Sequence, residues 1–239
     1  MSEGRAREVP AVPGGPLGAV VAMWPAVAGA LAFRYAAYAA MTAMALWAEL
    51  RPAPALPDLV LSHVPYVPWV DRANYLLWLV AYLPLAAALL LRDPARWVRY
   101  MVTGGLVSLT RGVTIALTGL GAPAPGHPGA GISPDGYGRA LLELLSPLGV
   151  FRRGAIAVYL TQDLFFSGHA ATTFLLFLYL RDRRRLRWAA LAGHLAVVAS
   201  VLLSHIHYAI DVVGAWAVTF ALYALREGWT SPPAGRASP

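Results

Sequence analysis

The chain contains no cysteine and no lysine, and only 13% of its 239 residues are charged. The absence of cysteine excludes disulfide bonds and thiolate metal ligands. Soluble domains carry about 25% charged residues, so this composition excludes an ordinary soluble protein. With 58% hydrophobic residues and a mean hydropathy of +0.56, the chain is predicted to be an integral membrane protein of one domain. The use of arginine alone, with much alanine, glycine and proline, suggests a bacterial source.

Apolar runs of about 20 residues, the length that crosses a bilayer core, predict an all-α membrane protein with six transmembrane helices. The Pro- and Gly-rich ends, 1–16 and 230–239, are predicted to be disordered and to flank one membrane domain, 17–229. The stretch 17–29 is interrupted by Trp24-Pro25, so it lies either along the interface or in the first span. The predicted spans are 30–50, 73–92, 99–119, 163–181, 187–205 and 207–226.

The arginines lie mostly in short loops between apolar runs, a pattern that indicates membrane topology rather than nucleic-acid binding. With a cytoplasmic N-terminus, 13 arginines fall on the cytoplasmic side and five on the other. Both termini are therefore predicted to be cytoplasmic, and the protein is predicted to lie in a bacterial inner membrane. Segment 120–162 would then face the periplasm or the outside. That segment contains a predicted amphipathic helix from Arg139 to Leu148, and the run RDRRRLR at 181–187 is expected to contact anionic membrane lipids. The cytoplasmic set is Arg5, Arg7, Arg34, Arg92, Arg96, Arg99, Arg181, Arg183, Arg184, Arg185, Arg187, Arg226 and Arg236; the external set is Arg51, Arg72, Arg139, Arg152 and Arg153.

Two short segments near the end of the chain carry the candidate chemistry. His207 and Asp211 are four residues apart, so on a helix the carboxylate can orient the imidazole. His169 follows Ser167-Gly168 at a predicted helix start, where backbone N–H groups bind anions. Two histidines, a carboxylate and an anion site predict phosphoryl transfer through a phosphohistidine. His169, His207 and Asp211 are the predicted catalytic residues, and no cofactor is predicted.

Other polar residues near the same external side are candidates for contact with substrate. Arg111, inside the third span, needs an anionic partner, which is either a substrate phosphate or a structural carboxylate such as Asp163 or Asp211. Asp163 itself binds a choline or ethanolamine cation, pairs with Arg111, or caps the fourth helix. His205 and His207 are two residues apart and point away from each other on a helix, so no metal site is predicted. The predicted substrate-binding set is Arg111, Ser167, Gly168, Asp163, Ile206 and Tyr208; His63, His127 and His194 are predicted to be structural.

Four motifs, in order, resemble those of the sphingomyelin synthase family within the lipid phosphate phosphatase superfamily. PALPD at 54–58 resembles PPLPD, and RGVT at 111–114 resembles R-x-x-T. QDLFFSGH at 162–169 is similar to GD-x3-SGH, and HYAIDV at 207–212 is similar to HYT-x-DV. A plant relative that exchanges phosphocholine between phosphatidylcholine and diacylglycerol has SGH and HYTID segments of about equal similarity.

The resemblance implies a six-helix, lipid phosphate phosphatase-like bundle. Its partners would be a phospholipid donor and a ceramide or diacylglycerol acceptor, between which it moves a phosphocholine or phosphoethanolamine headgroup. It implies that His207 attacks phosphorus with the help of Asp211. It also implies that His169 protonates the departing diacylglycerol and then activates the acceptor.

Two other functions stay open at this point. A phospholipase C or lipid phosphatase would use the same histidines with water as the acceptor, and a non-catalytic lipid-binding protein or scramblase would keep the motifs only as a lipid site. Ordinary lipid phosphatases carry K-x6-RP and an arginine at the position of Val201, and this chain has neither. Family members that handle choline or ethanolamine carry an acidic residue where this chain has Ile206, so a broad donor range is expected here. The oligomeric state is left open.

Overall fold

The computed structural model describes residues 15–123, 132–146 and 160–228, and within these ranges the chain is helical and has no strand. The predicted all-α class is therefore confirmed. The disorder predicted for the two ends falls almost wholly outside the described residues, although Pro16 already belongs to the first helix. The helices are α1 (Pro16–Ala22), α2 (Trp24–Ala48), α3 (Pro68–Arg92), α4 (Pro94–Thr118), a 3-10 turn (Pro134–Gly136), α5 (Tyr137–Leu145), α6 (Gly168–Leu180), α7 (Arg184–Leu203) and α8 (Ala209–Glu227).

The predicted number of six full spans is not confirmed. Among the described residues, four helices (α3, α4, α7 and α8) are long and apolar enough to cross a membrane, and α1 with α2 makes a fifth if this bent pair counts as one span. Helix α6 has 13 residues, which is about 20 Å at 1.5 Å per residue and shorter than a bilayer core. The architecture is an integral membrane helical bundle with four to five candidate spans.

The fourth predicted span, 163–181, becomes helical only at Gly168 because α4 binds the segment before it. The Arg111 Nε donates to the carbonyl of Phe166 at 2.6 Å, and the Thr114 hydroxyl donates to the carbonyl of Phe165 at 2.7 Å. These bonds hold the segment against α4 in a conformation that does not continue the helix. Residues 163–167 therefore form a non-helical segment, and the hydroxyl of Ser167 caps α6 by accepting from the Ala170 N–H.

The interruption predicted at Trp24-Pro25 is a bend of 74° between α1 and α2. Met23 separates the two helices, and Pro25 lies in the first turn of α2, where its missing N–H has no helical partner to lose. The helix predicted from Arg139 to Leu148 is present as α5, although residues beyond 146 lie outside the described ranges. It packs along α2, where the hydroxyls of Tyr137 and Tyr35 donate to the carbonyls of Ala43 and Leu145.

Close approach of α2 and α4 depends on glycines of α4. A Cβ on Gly105 would come within 2.5 Å of the Phe33 ring, and a Cβ on Gly112 within 2.8 Å of the Met44 sulfur. Small residues at such positions let two membrane helices pack along their backbones. The two helices thus form one wall of the bundle, with α6 packed against α4 from the inside.

The bundle has two chemically different ends. The end that we call the arginine-rich end contains the α3–α4 and α6–α7 connections and the C-terminus of α8, tied together by ion pairs. Burial by itself would raise the pKa of Asp182, but the hydrogen bonds and charge of Arg96 lower it. The opposite end, which we call the site end, contains the segments 49–67, 119–123, 160–167 and 204–208. The ion pairs of the arginine-rich end among the described residues are Arg96–Asp182 (2.6 Å), Arg183–Asp93 (3.1 Å), Arg99–Glu227 (3.1 Å) and Arg96–Asp93 (3.3 Å).

Candidate active site

His207 and Asp211 form a buried hydrogen-bonded pair at the site end. The His207 Nδ1 lies 3.1 Å from the Asp211 Oδ2, and both side chains are almost fully buried. The same Oδ2 accepts the backbone N–H of Tyr208 at 3.0 Å, and Oδ1 accepts the N–H of Phe165 at 3.0 Å. A carboxylate surrounded by donors assigns the imidazole proton to Nδ1 and leaves Nε2 as the basic, nucleophilic nitrogen.

The sequence predicted that His207 and Asp211 meet on one face of a helix, but in the structure they meet in another way. Helix α8 begins at Ala209, so His207 precedes the helix instead of starting it. Asp211 is the third residue of α8 and accepts the N–H of Tyr208 as part of a capping box. The spacing of four residues therefore works through the entry turn of the helix, which brings the imidazole back over the carboxylate.

Asp211 also connects the two motif segments to each other. Its Oδ1 accepts from Phe165, and its backbone carbonyl accepts the N–H of Ser167 at 3.1 Å. The start of α6 is thus fixed relative to the start of α8 by two hydrogen bonds to one residue. Any movement of Asp211 would shift both His207 and the Ser167–His169 segment.

His169 lies at the second position of α6 and lines a cavity of about 220 Å³. Its ring meets Trp78 edge-on with 5.5 Å between centroids and has no hydrogen-bond partner among the described residues. It is within electrostatic range of His207 and Arg111. An imidazole without a fixed partner beside a cavity is free to exchange a proton with a bound molecule. His207 is not among the residues that line the cavity.

Arg111 is buried and makes four contacts with protein atoms. Its Nη2 lies 2.8 Å from the Asp163 carboxylate and 2.6 Å from the Asp163 carbonyl, its Nε binds the Phe166 carbonyl, and its Nη1 lies 2.9 Å from the Met41 sulfur. The structural pairing of Arg111 with Asp163, one of the two alternatives from the sequence, is thus present. Gly168 gives the guanidinium room, since a Cβ there would lie 3.3 Å from Nε.

Tyr208 and Ile206 lie away from the cavity lining. The Tyr208 hydroxyl accepts the N–H of Leu56 at 2.8 Å and donates to the carbonyl of Gly121 at 2.9 Å, so it joins two connecting segments of the site end. Ile206 packs against a buried apolar cluster that includes Val201. Of the predicted substrate-binding residues, Arg111, Asp163 and Gly168 line the cavity, and Ser167, Ile206 and Tyr208 do not.

Two other histidines have structural partners. The Trp216 indole N–H donates to the His194 Nε2 at 2.8 Å, and the His194 Nδ1 lies 2.9 Å from the Thr173 hydroxyl. Because Nε2 accepts a hydrogen bond, it carries no proton, so His194 is neutral and links α6, α7 and α8. The His205 Nε2 lies 2.9 Å from the carbonyl of Val64, so this ring points toward the segment after α2.

Asp58 binds the start of α8. The sequence identifies it only as the last residue of the PALPD motif and predicts no role for it. Its Oδ2 accepts the N–H of Ala209 at 2.6 Å, and its Oδ1 accepts the N–H groups of Val60 and Leu61. It therefore satisfies a free N–H of the α8 terminus from a distant segment. The PALPD motif contains this aspartate, but only the folded chain shows that its partner is the N–H of Ala209.

We expect Asp58→Ala to lower the free energy of unfolding by about 1–3 kcal/mol, because three N–H groups lose their acceptor. Turnover should fall as well, since the adjacent His207 would lose its fixed position. Thermal unfolding in detergent and initial rates would measure both effects. Asp58→Asn, which keeps an acceptor oxygen, should lose less, and Asp135→Ala at an exposed position is the control. Equal stability of the Asp58→Ala and Asp135→Ala variants would contradict the assigned role.

Glu49, directly after α2, binds the segment that leads into the candidate site. Its carboxylate accepts the N–H groups of Thr161 and Gln162, each at 2.5 Å, and the Thr161 hydroxyl at 2.9 Å. Burial raises the pKa of Glu49, although these hydrogen bonds partly offset the shift. Glu49 and Arg111 together hold both sides of residues 160–166.

Arg34 corrects one step of the topology prediction. The sequence placed it among the cytoplasmic anchors, but it lies ten residues into α2, about 15 Å along the helix. Its Nη1 donates to the hydroxyl of Ser108, and its side chain lines the cavity with Arg111. Without Arg34, the predicted cytoplasmic side still holds more arginines than the external side. An arginine inside an apolar run with no acidic neighbour was the signal that could have identified it.

Comparison with known proteins adds one finding. Residues 162–227 match the family described as PAP2 superfamily C-terminal. The matched segment contains His169, His207 and Asp211 and covers α6, α7 and α8. A search of curated proteins found no match. The match supports the lipid phosphate phosphatase superfamily and an enzyme with lipid phosphatase or phosphotransferase activity.

Proposed function

We propose that this protein is a membrane lipid phosphotransferase that moves a phospho-headgroup from a glycerophospholipid to ceramide or diacylglycerol. The observation that carries the proposal is Asp211, which orients the His207 imidazole and at the same time positions the start of α6 with His169. A nucleophile with its orienting carboxylate and a separate proton carrier is the arrangement that phosphohistidine chemistry requires.

In the first step, the Nε2 of His207 attacks phosphorus and forms a P–N bond. The P–O bond to diacylglycerol breaks, and the departing oxygen takes a proton from His169, whose protonated form the negative charge of the bound phosphodiester stabilises. Asp211 stabilises the positive charge that develops on His207. The free N–H groups at the α6 N-terminus and the remaining N–H of Arg111 are available to the phosphate oxygens.

In the second step, neutral His169 accepts the proton of the acceptor hydroxyl. The acceptor oxygen attacks phosphorus, the P–N bond breaks, and His207 returns to its starting state. Lipid tails would leave sideways between α2 and α3, where the cavity-lining residues Tyr38 and Tyr75 are partly exposed.

Transfer and hydrolysis differ only in the acceptor, so the test varies the acceptor. Purified protein is incubated with a phospholipid donor in ¹⁸O-labelled water, with and without ceramide and diacylglycerol, and the products are identified by mass spectrometry. Transfer predicts headgroup-bearing ceramide or a new glycerophospholipid, without ¹⁸O in the phosphate. Labelled phosphate or phospho-headgroup in every reaction would replace the proposal with a phospholipase C or phosphatase. Absence of any product would leave a lipid-binding protein or scramblase.

We also propose that the site end faces the periplasm or outside of an inner membrane and that both termini are cytoplasmic, because most arginines lie toward the arginine-rich end. The test uses Ser133→Cys and Arg184→Cys, two exposed positions in a chain without cysteine. An impermeant thiol reagent should label Ser133→Cys in intact cells and should label Arg184→Cys only after lysis. Labelling in the opposite pattern would reverse the orientation.

A further inference from the structure

The cavity contains two arginines in different electrostatic situations. Arg111 is paired with Asp163 at 2.8 Å. Arg34 donates to the Ser108 hydroxyl and has no carboxylate within ion-pair distance among the described residues. The uncompensated positive charge of the cavity wall is therefore that of Arg34. A cation held in mid-span without a protein counter-charge points to a function in binding.

Arg34 lies deeper in the bundle than the candidate catalytic groups. Its guanidinium is beside Gly104 and Ser108, which precede Arg111 by two turns and one turn of α4. A Cβ on Gly104 would be 3.2 Å from the Arg34 Nε, so this glycine leaves space for the guanidinium. One turn of an α-helix is 5.4 Å, so the two arginines occupy successive levels of the cavity. If the phosphate of a bound lipid lies at the level of His169, Arg34 would contact another part of that lipid.

The cavity wall around Arg34 carries hydroxyl and aromatic groups. Ser108 and Thr172 carry hydroxyls, and the aromatic rings of Tyr38, Tyr75 and Trp78 line the cavity as well. Aromatic faces accept either a quaternary ammonium or the C–H face of a polyol. The full charge of Arg34 decides between them, because it repels an ammonium and donates hydrogen bonds to hydroxyl and anionic oxygens.

We propose that Arg34 is a specificity-determining residue that binds the far end of the lipid headgroup and selects hydroxyl-bearing or anionic headgroups over cationic ones. The inference rests on the proposed function, since it concerns the donor of that same site. It agrees with the absence of a carboxylate at Ile206. It also gives the half-buried arginine of α2 a partner that the described residues do not provide.

The test compares dioleoyl phosphatidylglycerol with dioleoyl phosphatidylcholine, which share chains and phosphodiester and differ only in the end of the headgroup. The wild-type kcat/KM should favour phosphatidylglycerol by about tenfold or more, and Arg34→Gln should remove most of that ratio. Arg34→Lys, which keeps the charge, should retain part of it. Arg92→Gln, at an exposed position at the end of α3, is the matched control and should leave the ratio unchanged.

A second variant covers the case in which Arg34→Gln does not fold. Gly104→Ala keeps the charge and favours helix, but its methyl group would lie 3.2 Å from the Arg34 Nε, so the guanidinium must shift by a few tenths of an ångström. It should lower the phosphatidylglycerol preference while the phosphatidylcholine rate changes less. An unchanged ratio in Gly104→Ala and Arg34→Gln, or a wild-type preference for phosphatidylcholine, would overturn the inference.

A binding measurement separates this inference from the proposed function. Calorimetric titration with dihexanoyl phosphatidylglycerol and dihexanoyl phosphatidylcholine needs no turnover. If the wild type turns over neither donor but binds phosphatidylglycerol more tightly in a manner that depends on Arg34, the proposed function fails and the headgroup subsite stands. If turnover occurs with a ratio that does not depend on Arg34, the subsite fails and the function stands. Absence of a binding preference overturns the subsite in either case.

Discussion

Replacing His207 with alanine is expected to reduce turnover by at least about a thousandfold, the range found when one member of a nucleophilic catalytic unit is removed. The physical reason is that no other described residue presents an imidazole oriented by Asp211. His169→Ala and Asp211→Ala should show losses of similar kind, because proton transfer and orientation serve the same reaction. Initial rates of lipid product formation by the purified variants would measure this.

The control and the double variant sharpen the result. His63→Ala changes an exposed histidine whose ring lies within hydrogen-bond distance of Ser62 and of the Leu59 carbonyl in its own turn, and it should leave turnover unchanged. His169→Ala/His207→Ala should lose little more than the worse single variant, because groups that act as one unit show non-additive effects. Near-native turnover of that double variant would refute the phosphohistidine mechanism. Retained folding is checked by the unfolding temperature in detergent.

Replacing Arg111 with alanine is expected to lower the free energy of unfolding by about 1–3 kcal/mol, since it leaves the partly buried Asp163 carboxylate without its partner. The carbonyls of Asp163 and Phe166 lose their donors as well, so the segment before α6 would be released. Turnover should fall with stability because this segment places His169. Thermal unfolding together with kcat and KM would show both effects.

Two variants distinguish the positioning role of Arg111 from direct binding of the phosphate. Arg111→Lys keeps the charge but not the fork that reaches two carbonyls and a carboxylate, so it should restore little. Arg92→Ala, an exposed arginine of α3, is the control for loss of charge alone. If Arg111→Ala unfolds at the wild-type temperature and only KM rises, then Arg111 acts on substrate and not on the fold of the segment.

Most helices could be predicted from the sequence because hydropathy is a local property. The second, third, fifth and sixth predicted spans correspond to α3, α4, α7 and α8 with ends that differ by a few residues. The break at Trp24-Pro25 was also predictable, since proline acts within one turn. The fourth span was wrong in its length because Arg111 and Thr114, 50 residues earlier, bind its first carbonyls. No hydropathy average includes such a contact.

By itself, the sequence determined the chemical types at the candidate site and the membrane class of the chain. The motifs around His169 and His207, and the four-residue spacing to Asp211, depend on neighbours along the chain, so they could be found without a fold. The tertiary structure alone decided which charges are compensated. It pairs Arg111 with Asp163 and brings Asp58 to the start of α8. It also leaves Arg34 facing the cavity with no counter-charge from the described residues. The physical reason is that the electrostatic state of a buried group is set by partners within a few ångströms, and in a helical bundle those partners come from distant parts of the chain.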